Sequence, residues 1–339
     1  MASNNGYTRK WEPRRTGRSV SDESRDSYYG LPVVKAPHWD WKIVLYFFLG
    51  GISSASYVIA CMAELIGGHT NDKIERIGRY VSLVTLLPSP ILLILDLGRP
   101  ERFHHMLRIV KLRSPMSVGT WGLTIFGIFN ALSVMNQAAQ DGLLNWFPLA
   151  RRVLLALPCK SLNIVGSFFG FFVGGYTGVL LGITAIPVWA KNRLLLGPLF
   201  LSSAMASASA TIALVLALLR GENHEALRRV ERLDMIASLA ELGLILTARA
   251  NLGPVLSRPL QHGRLANIFR WGVLGTGILA PLLLQLRTVL GGKPARGFTI
   301  ASSICTLIGG YSVRYLMVYI GKASAADPQA TFDYARHDR

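Results

Sequence analysis

The sequence predicts an all-α, polytopic integral membrane protein with about eight transmembrane helices in two four-helix bundles. Hydrophobic residues make up 51% of the 339 residues, charged residues only 16%, and the mean hydropathy is +0.36. This composition excludes an ordinary soluble domain. A membrane-spanning helix needs about 20 mainly apolar residues. Runs of that kind lie at 42–66, 78–97, 116–137, 161–190, 196–219, 231–250, 268–290 and 298–320.

The runs predict two membrane units between polar tails. Residues 42–190 would form the first bundle with its interfacial loop helices, and residues 191–322 the second. A polar, arginine-rich tail of residues 1–41 precedes them and is expected to be disordered, and residues 323–339 form a C-terminal tail. No apolar stretch follows the early arginines closely, so a twin-arginine export signal is not expected. The first span would itself direct insertion.

Proline and glycine positions indicate how the spans bend and pack. Pro88 and Pro90 interrupt the second run and Pro281 the seventh, so kinks are expected there, because proline cannot donate a backbone hydrogen bond. The fourth run carries five glycines at four-residue steps, from Gly166 to Gly182. Such a stripe indicates close packing against a neighbouring helix. The alternative is a bare strip with room for a flat ligand ring.

A dense polar and basic segment, DLGRPERFHHMLRIVKLRSPMSVGTW, joins the second run to the third at residues 96–121. Within it, Phe103, Leu107 and Val110 would form the apolar face of a short surface helix. Arginine and histidine side chains lie on another face, the pattern of a helix in the plane of the membrane interface. Pro115 suits the first position of the span that follows.

Charge and cysteine usage exclude several function classes. The formal net charge of +17 comes from basic residues in loops, where anionic lipid explains them, so no nucleic-acid partner is expected. Cys61, Cys159 and Cys305 lack the spacing of cluster or zinc ligands, so this chain is expected to hold no iron–sulfur cluster or other metal. The histidines lie in tails, loops and helix ends, not as axial pairs inside spans, so no haem is expected.

Two blocks of the sequence resemble one known family. DLGRPERF with RSPMSVGTW in the polar segment, and HWDWKIVLYFFLGG at residues 38–51, are similar to the NrfD/PsrC family of multi-pass, quinone-interacting subunits. The resemblance implies that the chain binds menaquinone or ubiquinone. It also implies electron exchange with a ferredoxin-like iron–sulfur subunit, itself attached to a molybdopterin catalytic subunit.

Side chains suited to quinone chemistry meet at the ends of the first two spans. A quinone site needs groups that hydrogen-bond the ring oxygens and exchange protons, beside an apolar slot for the isoprenoid tail. The residues that we expect in this site are His38, Asp40, Asp96, Arg99, His104 and His105, and we add Tyr176, which lies beside the glycine stripe of the fourth run. The alternatives are head-group contacts for the loop histidines and an ion pair between Asp96 and Arg99 that fixes the loop.

Two carboxylates within the spans are candidates for a proton path. A charge at the centre of a span costs roughly 2.5–3.5 kcal/mol, so such residues usually face the bundle and have partners. Glu241 lies near the middle of the sixth run, and its alternative role is a structural ion pair with Arg270, Arg287 or Arg314. Glu64 lies toward the end of the first run. There the resemblance implies a proton-path carboxylate, and snorkelling is the alternative.

The sequence therefore predicts the membrane anchor and quinone-binding subunit of a molybdopterin/iron–sulfur oxidoreductase, with proton translocation left open. A secondary transporter or ion channel is the alternative, with the proline-interrupted helices as gates. An anchor without a working quinone site is a third class. The balance of basic residues predicts both termini and the DLGRPERF loop on the cytoplasmic side of a bacterial inner membrane.

Overall fold

A computed structural model describes residues 33–219, 224–289 and 296–337 of the chain. In these ranges all regular structure is helical, which confirms the predicted fold class. Two 3₁₀-helices, Pro100–Leu107 and Arg258–Leu260, and a π-helix, Ile268–Leu279, interrupt the α-helices. The α-helices in order are α1 (Trp41–Ile66), α2 (His69–Leu86), α3 (Pro88–Leu95), α4 (Pro115–Gln140), α5 (Pro148–Ala156), α6 (Cys159–Gly182), α7 (Pro187–Lys191), α8 (Arg193–Leu218), α9 (His224–Leu256), α10 (Arg264–Asn267), α11 (Ala280–Val289), α12 (Arg296–Ala326) and α13 (Pro328–His337).

Seven helical stretches in the described ranges are long and apolar enough to cross a membrane, so the protein is polytopic. They are Trp41–Ile66, His69–Leu95, Pro115–Gln140, Cys159–Gly182, Arg193–Leu218, Arg264–Leu286 and Arg296–Ala326. We call the end of the bundle where α1 begins and α3 ends the Asp96 end. The opposite end, where α1 ends and α2 begins, is the Glu64 end. Most of the predicted N-terminal tail, residues 1–32, lies outside the described residues.

The charged helix α9 forms where the sixth span was predicted, and it runs between the same two ends. Near its start, Arg229 Nη1 donates to Asn71 Oδ1 at 2.8 Å, at the Glu64 end. Near its finish, the Ala248 carbonyl accepts from Asn192 Nδ2 at 3.2 Å, at the Asp96 end. Helix α9 therefore lies alongside the apolar spans, and the predicted count of about eight is a fair approximation.

Prolines explain where the helices depart from the predicted runs and where they agree with them. The predicted fourth run of 161–190 is split, because α6 ends at Gly182 and α7 begins at Pro187. A proline suits a first turn and disfavours the helical conformation of the residue before it, and Ile186 is extended. Pro88 begins α3, and Pro281 lies just after the π-helix gives way to α11, so the helices are irregular at both predicted kinks.

Helix α1 is central, and 83% of its most apolar stretch is buried. It packs on α2, α6, α8 and α12, while α8 packs on α6, α9 and α12. Since α1 and α8 also contact each other, the division into two bundles near residue 190 stays a prediction. The glycines of α6 face these two helices: a methyl group at Gly178 would collide with the Leu196 carbonyl oxygen, and one at Gly170 would stand 3.2 Å from the Ser54 carbonyl. The stripe is therefore filled by close helix packing, with no space for a ring.

Candidate functional site

Three helix ends bring predicted site residues together at the Asp96 end. His38 and Asp40 lie just before α1, and Asp96 directly follows α3. Lys322 of α12, which the sequence analysis did not single out, forms an ion pair with Asp40, with 3.2 Å between Nζ and Oδ1. We call His38, Asp40, Lys42, Asp96 and Lys322 the Asp96 cluster.

Asp96 is partly buried within this cluster. Burial raises the pKa of its carboxyl group above the usual value of an aspartate; the positive charge of Lys42 opposes the rise and the charge of Asp40 adds to it. Lys42 also ties α1 to α3, because its Nζ donates to the Leu95 carbonyl at 3.2 Å. A carboxyl group in this state is suited to holding and releasing a proton at a helix end.

An apolar pocket of about 280 Å³ opens next to Asp96, between α3, the Pro100–Leu107 helix and α4. The hydroxyls of Thr120 and Thr124 donate to backbone carbonyls of their own helix, at 2.9 and 2.8 Å, so the interior is apolar. Such a slot suits a hydrocarbon chain. The residues that line it are Leu86, Pro90, Leu93, Ile94, Leu97, Phe103, Met106, Leu107, Thr120, Leu123, Thr124 and Gly127.

The helix of the polar loop, Pro100–Leu107, which we call the loop helix, differs in type from the surface helix that the sequence predicted. It is a 3₁₀-helix with about three residues per turn, so Phe103 and Met106 align and both face the pocket. Val110, predicted on the same face, falls beyond the helix and is 53% exposed. The helix ends at Leu107, and beyond it the Lys111 amide donates to the Ser117 hydroxyl at 3.0 Å, which ties the end of the loop to α4.

Arg99, His104 and His105 lie on the exposed side of this loop, and the lining of the pocket does not include them. The ring centroids of the two histidines are 4.4 Å apart. The alternative ion pair between Asp96 and Arg99 does not form, since the charges that act on Asp96 are those of the Asp96 cluster. These three residues therefore present polar groups to the surface next to the pocket.

Tyr176 lies at the same end of the bundle, where it contacts the start of α4. Its hydroxyl donates to the Pro115 carbonyl, and its ring stacks on Phe172 with 5.1 Å between centroids. A methyl group at Gly119 would collide with the ring, so Tyr176 packs against the first turns of α4 at Gly119. The structure does not bring Tyr176 into the pocket lining or into the Asp96 cluster.

At the Glu64 end, a buried arginine gathers the polar side chains of four helices. Arg79, only 1% exposed, lies 2.9 Å from a carboxylate oxygen of Glu64 and 2.8 Å from one of Glu75. It also donates to Gln137 Oε1 at 2.8 Å, and Asn163 Nδ2 donates to Glu64 at 2.6 Å. Glu64 therefore turns into the protein and does not snorkel.

Helix α9 carries a row of buried acids that face α11 and α12. Asp234 is 1% exposed and accepts from the side-chain amide of Gln285 and, at 3.4 Å, from the hydroxyl of Thr306. One turn earlier, Glu231 accepts from the Thr299 hydroxyl at 2.5 Å. These hydrogen bonds offset part of the cost of burying polar groups among apolar helices.

Glu241 continues this row toward the middle of the bundle. Its carboxylate contacts Ser203 and the charge of Arg314, which is fully buried. Arg314 donates to the Ser203 hydroxyl, to the Gly310 carbonyl at 2.9 Å and to the Phe200 carbonyl at 3.3 Å. Arg314, one of the three arginines considered as partners, supplies a positive charge that acts on Glu241.

Sequence reasoning missed several polar residues of these sites. Lys322 and Arg79 were visible as single charges at the ends of apolar runs, but their partners lie on helices far away in the chain. Ser203 gave no signal, because serine is common in packed membrane helices. Among the described residues, no three His, Cys, Asp or Glu side chains cluster as ligands of a metal ion would.

Comparison with known proteins places the chain in a family. It is 26% identical over 307 residues to a polysulfide reductase chain of Wolinella succinogenes, with 84% of this chain and 94% of that protein covered. It is 28% identical over 309 residues to the protein NrfD homolog of Haemophilus influenzae, with 85% and 95% covered. It is 24% identical over 322 residues to a selenate reductase subunit of Mesobacillus selenatarsenatis, with 83% and 73% covered.

The family match includes both ends of the bundle. Residues 34–326 match the family described as polysulphide reductase, NrfD. This range contains all seven apolar spans, α9, the whole Asp96 cluster and the apolar pocket. The chain therefore belongs to the NrfD polysulphide reductase family of multi-pass membrane proteins.

Proposed function

We propose that this chain is the membrane anchor and quinone-binding subunit of a multi-subunit oxidoreductase. It would exchange electrons between a ferredoxin-like iron–sulfur subunit and menaquinone or ubiquinone, and a molybdopterin catalytic subunit would complete the complex. The observation that carries the proposal is the apolar pocket next to the Asp96 cluster. Relatives named as parts of polysulfide reductase and selenate reductase support the oxidoreductase assignment.

The residues present fit a quinone in two respects. The pocket between α3, the loop helix and α4 offers an apolar slot for an isoprenoid tail. The Asp96 cluster, with the exposed histidines of the loop, offers donors for the ring oxygens of a head group. A bound quinone supplies a two-electron, two-proton couple. In this proposal, Asp96 holds the proton for one ring oxygen, and the ammonium group of Lys42 orients its carboxylate.

The exposed basic loop is the proposed docking surface for the iron–sulfur partner. It begins next to the pocket, so a partner bound there would be close to the head group. A positive surface attracts and orients an acidic protein. The exposed basic residues of this loop are Arg99, Arg102, Arg108, Lys111 and Arg113.

A pocket-filling substitution tests the quinone site. Gly127 lines the pocket, and a side chain added there meets only Leu86, at 3.8 Å, before it enters the cavity. We expect Gly127→Leu to raise KM for the quinone roughly tenfold or more in the intact complex. It should equally reduce labelling of α3, the loop helix and α4 by a photo-crosslinkable quinone analogue.

Gly243→Leu is the matched control, because a side chain at Gly243 meets open space on α9. It should leave KM and labelling unchanged. Labelling outside the pocket in the wild-type complex, or an equal effect of both substitutions, would contradict the proposed site.

We also propose Glu64 and Glu241 as members of a proton path, with both termini on the cytoplasmic side of a bacterial inner membrane. The buried acids of α9 are equally the observation that favours the rival function, a secondary transporter or channel. Purification separates the two functions. Co-purification with a protein that has iron–sulfur absorbance supports the oxidoreductase, and a lone chain that moves solute across liposomes supports transport.

A further inference from the structure

A second apolar groove lies at the Glu64 end, on the other side of the membrane from the proposed quinone site. It measures about 270 Å³ and opens between α1, α2 and α9. It begins at the last two turns of α1, where the span meets the interface. The apolar residues that line it are Ile59, Met62, Ala63, Ile66, Ile74, Val230 and Leu233.

Two arginines of α9 also line this groove. Arg229 and Arg232 are three residues apart and therefore share one side of the helix. Arg229 is held in place by Asn71 Oδ1 at 2.8 Å and by Glu225 Oε1 at 2.6 Å, and Arg232 is exposed. Two guanidinium groups and one carboxylate leave the rim of the groove with a net positive charge.

The α9 surface continues as an apolar track from this rim into the span. Ile236 and Leu239 follow Arg232 at helical spacing and are 62% and 50% exposed. A phospholipid has a charged head group and apolar acyl chains. The groove matches both parts, because guanidinium groups lie at the interface and an apolar groove and track lie beneath them. The phosphate suits the guanidinium groups, which bind such oxygens in a bidentate manner, and an acyl chain suits the groove.

We infer that this groove binds an anionic glycerophospholipid, with its phosphate on Arg229 and Arg232 and one acyl chain between α1 and α9. A zwitterionic lipid would place a positive head group near the same arginines, so a lipid with net negative charge is preferred. The site is independent of the proposed quinone function, since it shares no residue with the Asp96 cluster or with the apolar pocket.

Native mass spectrometry of the purified full-length protein tests the inference. The probes are dioleoyl phosphatidylglycerol and dioleoyl phosphatidylcholine, which have the same acyl chains. We expect tighter retention of phosphatidylglycerol, and Arg232→Gln should weaken it by about fivefold. Arg232 is exposed, so its replacement leaves the packing of α9 intact. Arg152→Gln, an exposed arginine of α5 at the same end, should have no effect.

Two further measurements separate this lipid site from simpler explanations. Met62→Trp places a bulky side chain in the groove and should weaken retention of both lipids. Equal losses in Arg232→Gln and Arg152→Gln would show diffuse surface charge and overturn the site. Full competition by glycerol 3-phosphate, which has the head-group phosphate without the acyl tails, would show a plain anion site and overturn it as well. Equal retention of phosphatidylglycerol and phosphatidylcholine by the wild type would overturn the inference that the site selects an anionic lipid.

Discussion

Two buried arginines neutralise the carboxylates proposed as a proton path. Arg79 contacts Glu64 directly. The charge of Arg314 acts on Glu241, and the side chains of Arg314 and Glu241 both contact the Ser203 hydroxyl. A buried charge is retained among apolar helices only when a partner offsets its desolvation. At the residue scale, each candidate proton carrier is therefore coupled to a fixed positive charge.

Substitution of Glu241 or Arg314 breaks the same buried charge pair, so both should lower stability, and the Glu241 substitution also tests the proton path. Glu241→Gln cannot titrate, so proton release per electron in proteoliposomes should fall. It also leaves the buried Arg314 without its counter-charge, so the melting temperature should fall as well. Arg314→Leu leaves the carboxylate buried without its counter-charge and should destabilise the protein by about 3–5 kcal/mol. An unchanged proton yield in Glu241→Gln would remove this residue from the path.

Asp96→Asn should lower the rate of quinone-coupled turnover at least about a hundredfold, which is the typical contribution of a positioned acid. Its stability should not fall. Burial raises the pKa of Asp96 in the folded state, so the wild type loses stability as pH rises from the unfolded pKa through the folded one. Asparagine has no such loss. Glu101→Gln, on the exposed loop, is the control for turnover, and thermal melting across pH checks the stability.

At the element scale, glycine determines which helices touch. The stripe on α6 lets the backbones of α6 and α8 approach so closely that Gly178 faces the Leu196 carbonyl directly. In lipid, where no hydrophobic force drives helices together, such contact is a principal source of stability. The four-residue spacing predicted this role from the sequence, but only the packed helices identify α8 as a partner.

Gly178→Ala should push α6 away from α8 and destabilise the protein by about 1–3 kcal/mol, the usual cost of overpacking. Gly243→Ala is the control, because the added methyl group meets open space and alanine favours the helix by up to about 1 kcal/mol. Thermal melting of the two variants in the same detergent measures the difference. A Gly178→Ala protein as stable as the wild type would show that this contact tolerates separation.

At the scale of the whole molecule, the polar side chains form separate groups at different depths in the membrane. The Asp96 cluster and the basic loop occupy one end, the Arg79 network the other, and the acids of α9 run between them. This arrangement fits a protein that handles electrons at one interface and has proton carriers at several depths. Which end faces the cytoplasm rests on the distribution of basic residues.

Cysteine labelling tests this orientation in a background with Cys159 and Cys305 replaced by serine. Trp146 is 90% exposed at the Glu64 end, and Leu112 is 83% exposed at the Asp96 end. A membrane-impermeant maleimide should label Trp146→Cys in intact cells, and Leu112→Cys only in inverted membrane vesicles. The reverse pattern would place the Asp96 end outside the cytoplasm.

The sequence alone determined the membrane class, the approximate spans, the helix irregularities at Pro88 and Pro281 and the resemblance that the family match confirms. Composition and local periodicity carry this information, because each apolar run must satisfy its own backbone hydrogen bonds in lipid. The tertiary structure decided the partners. Lys322 meets Asp40, Arg314 acts on Glu241, and Tyr176 packs on Gly119 of α4. These pairings join residues distant in the chain, so helix packing selects them, and no local pattern records the choice.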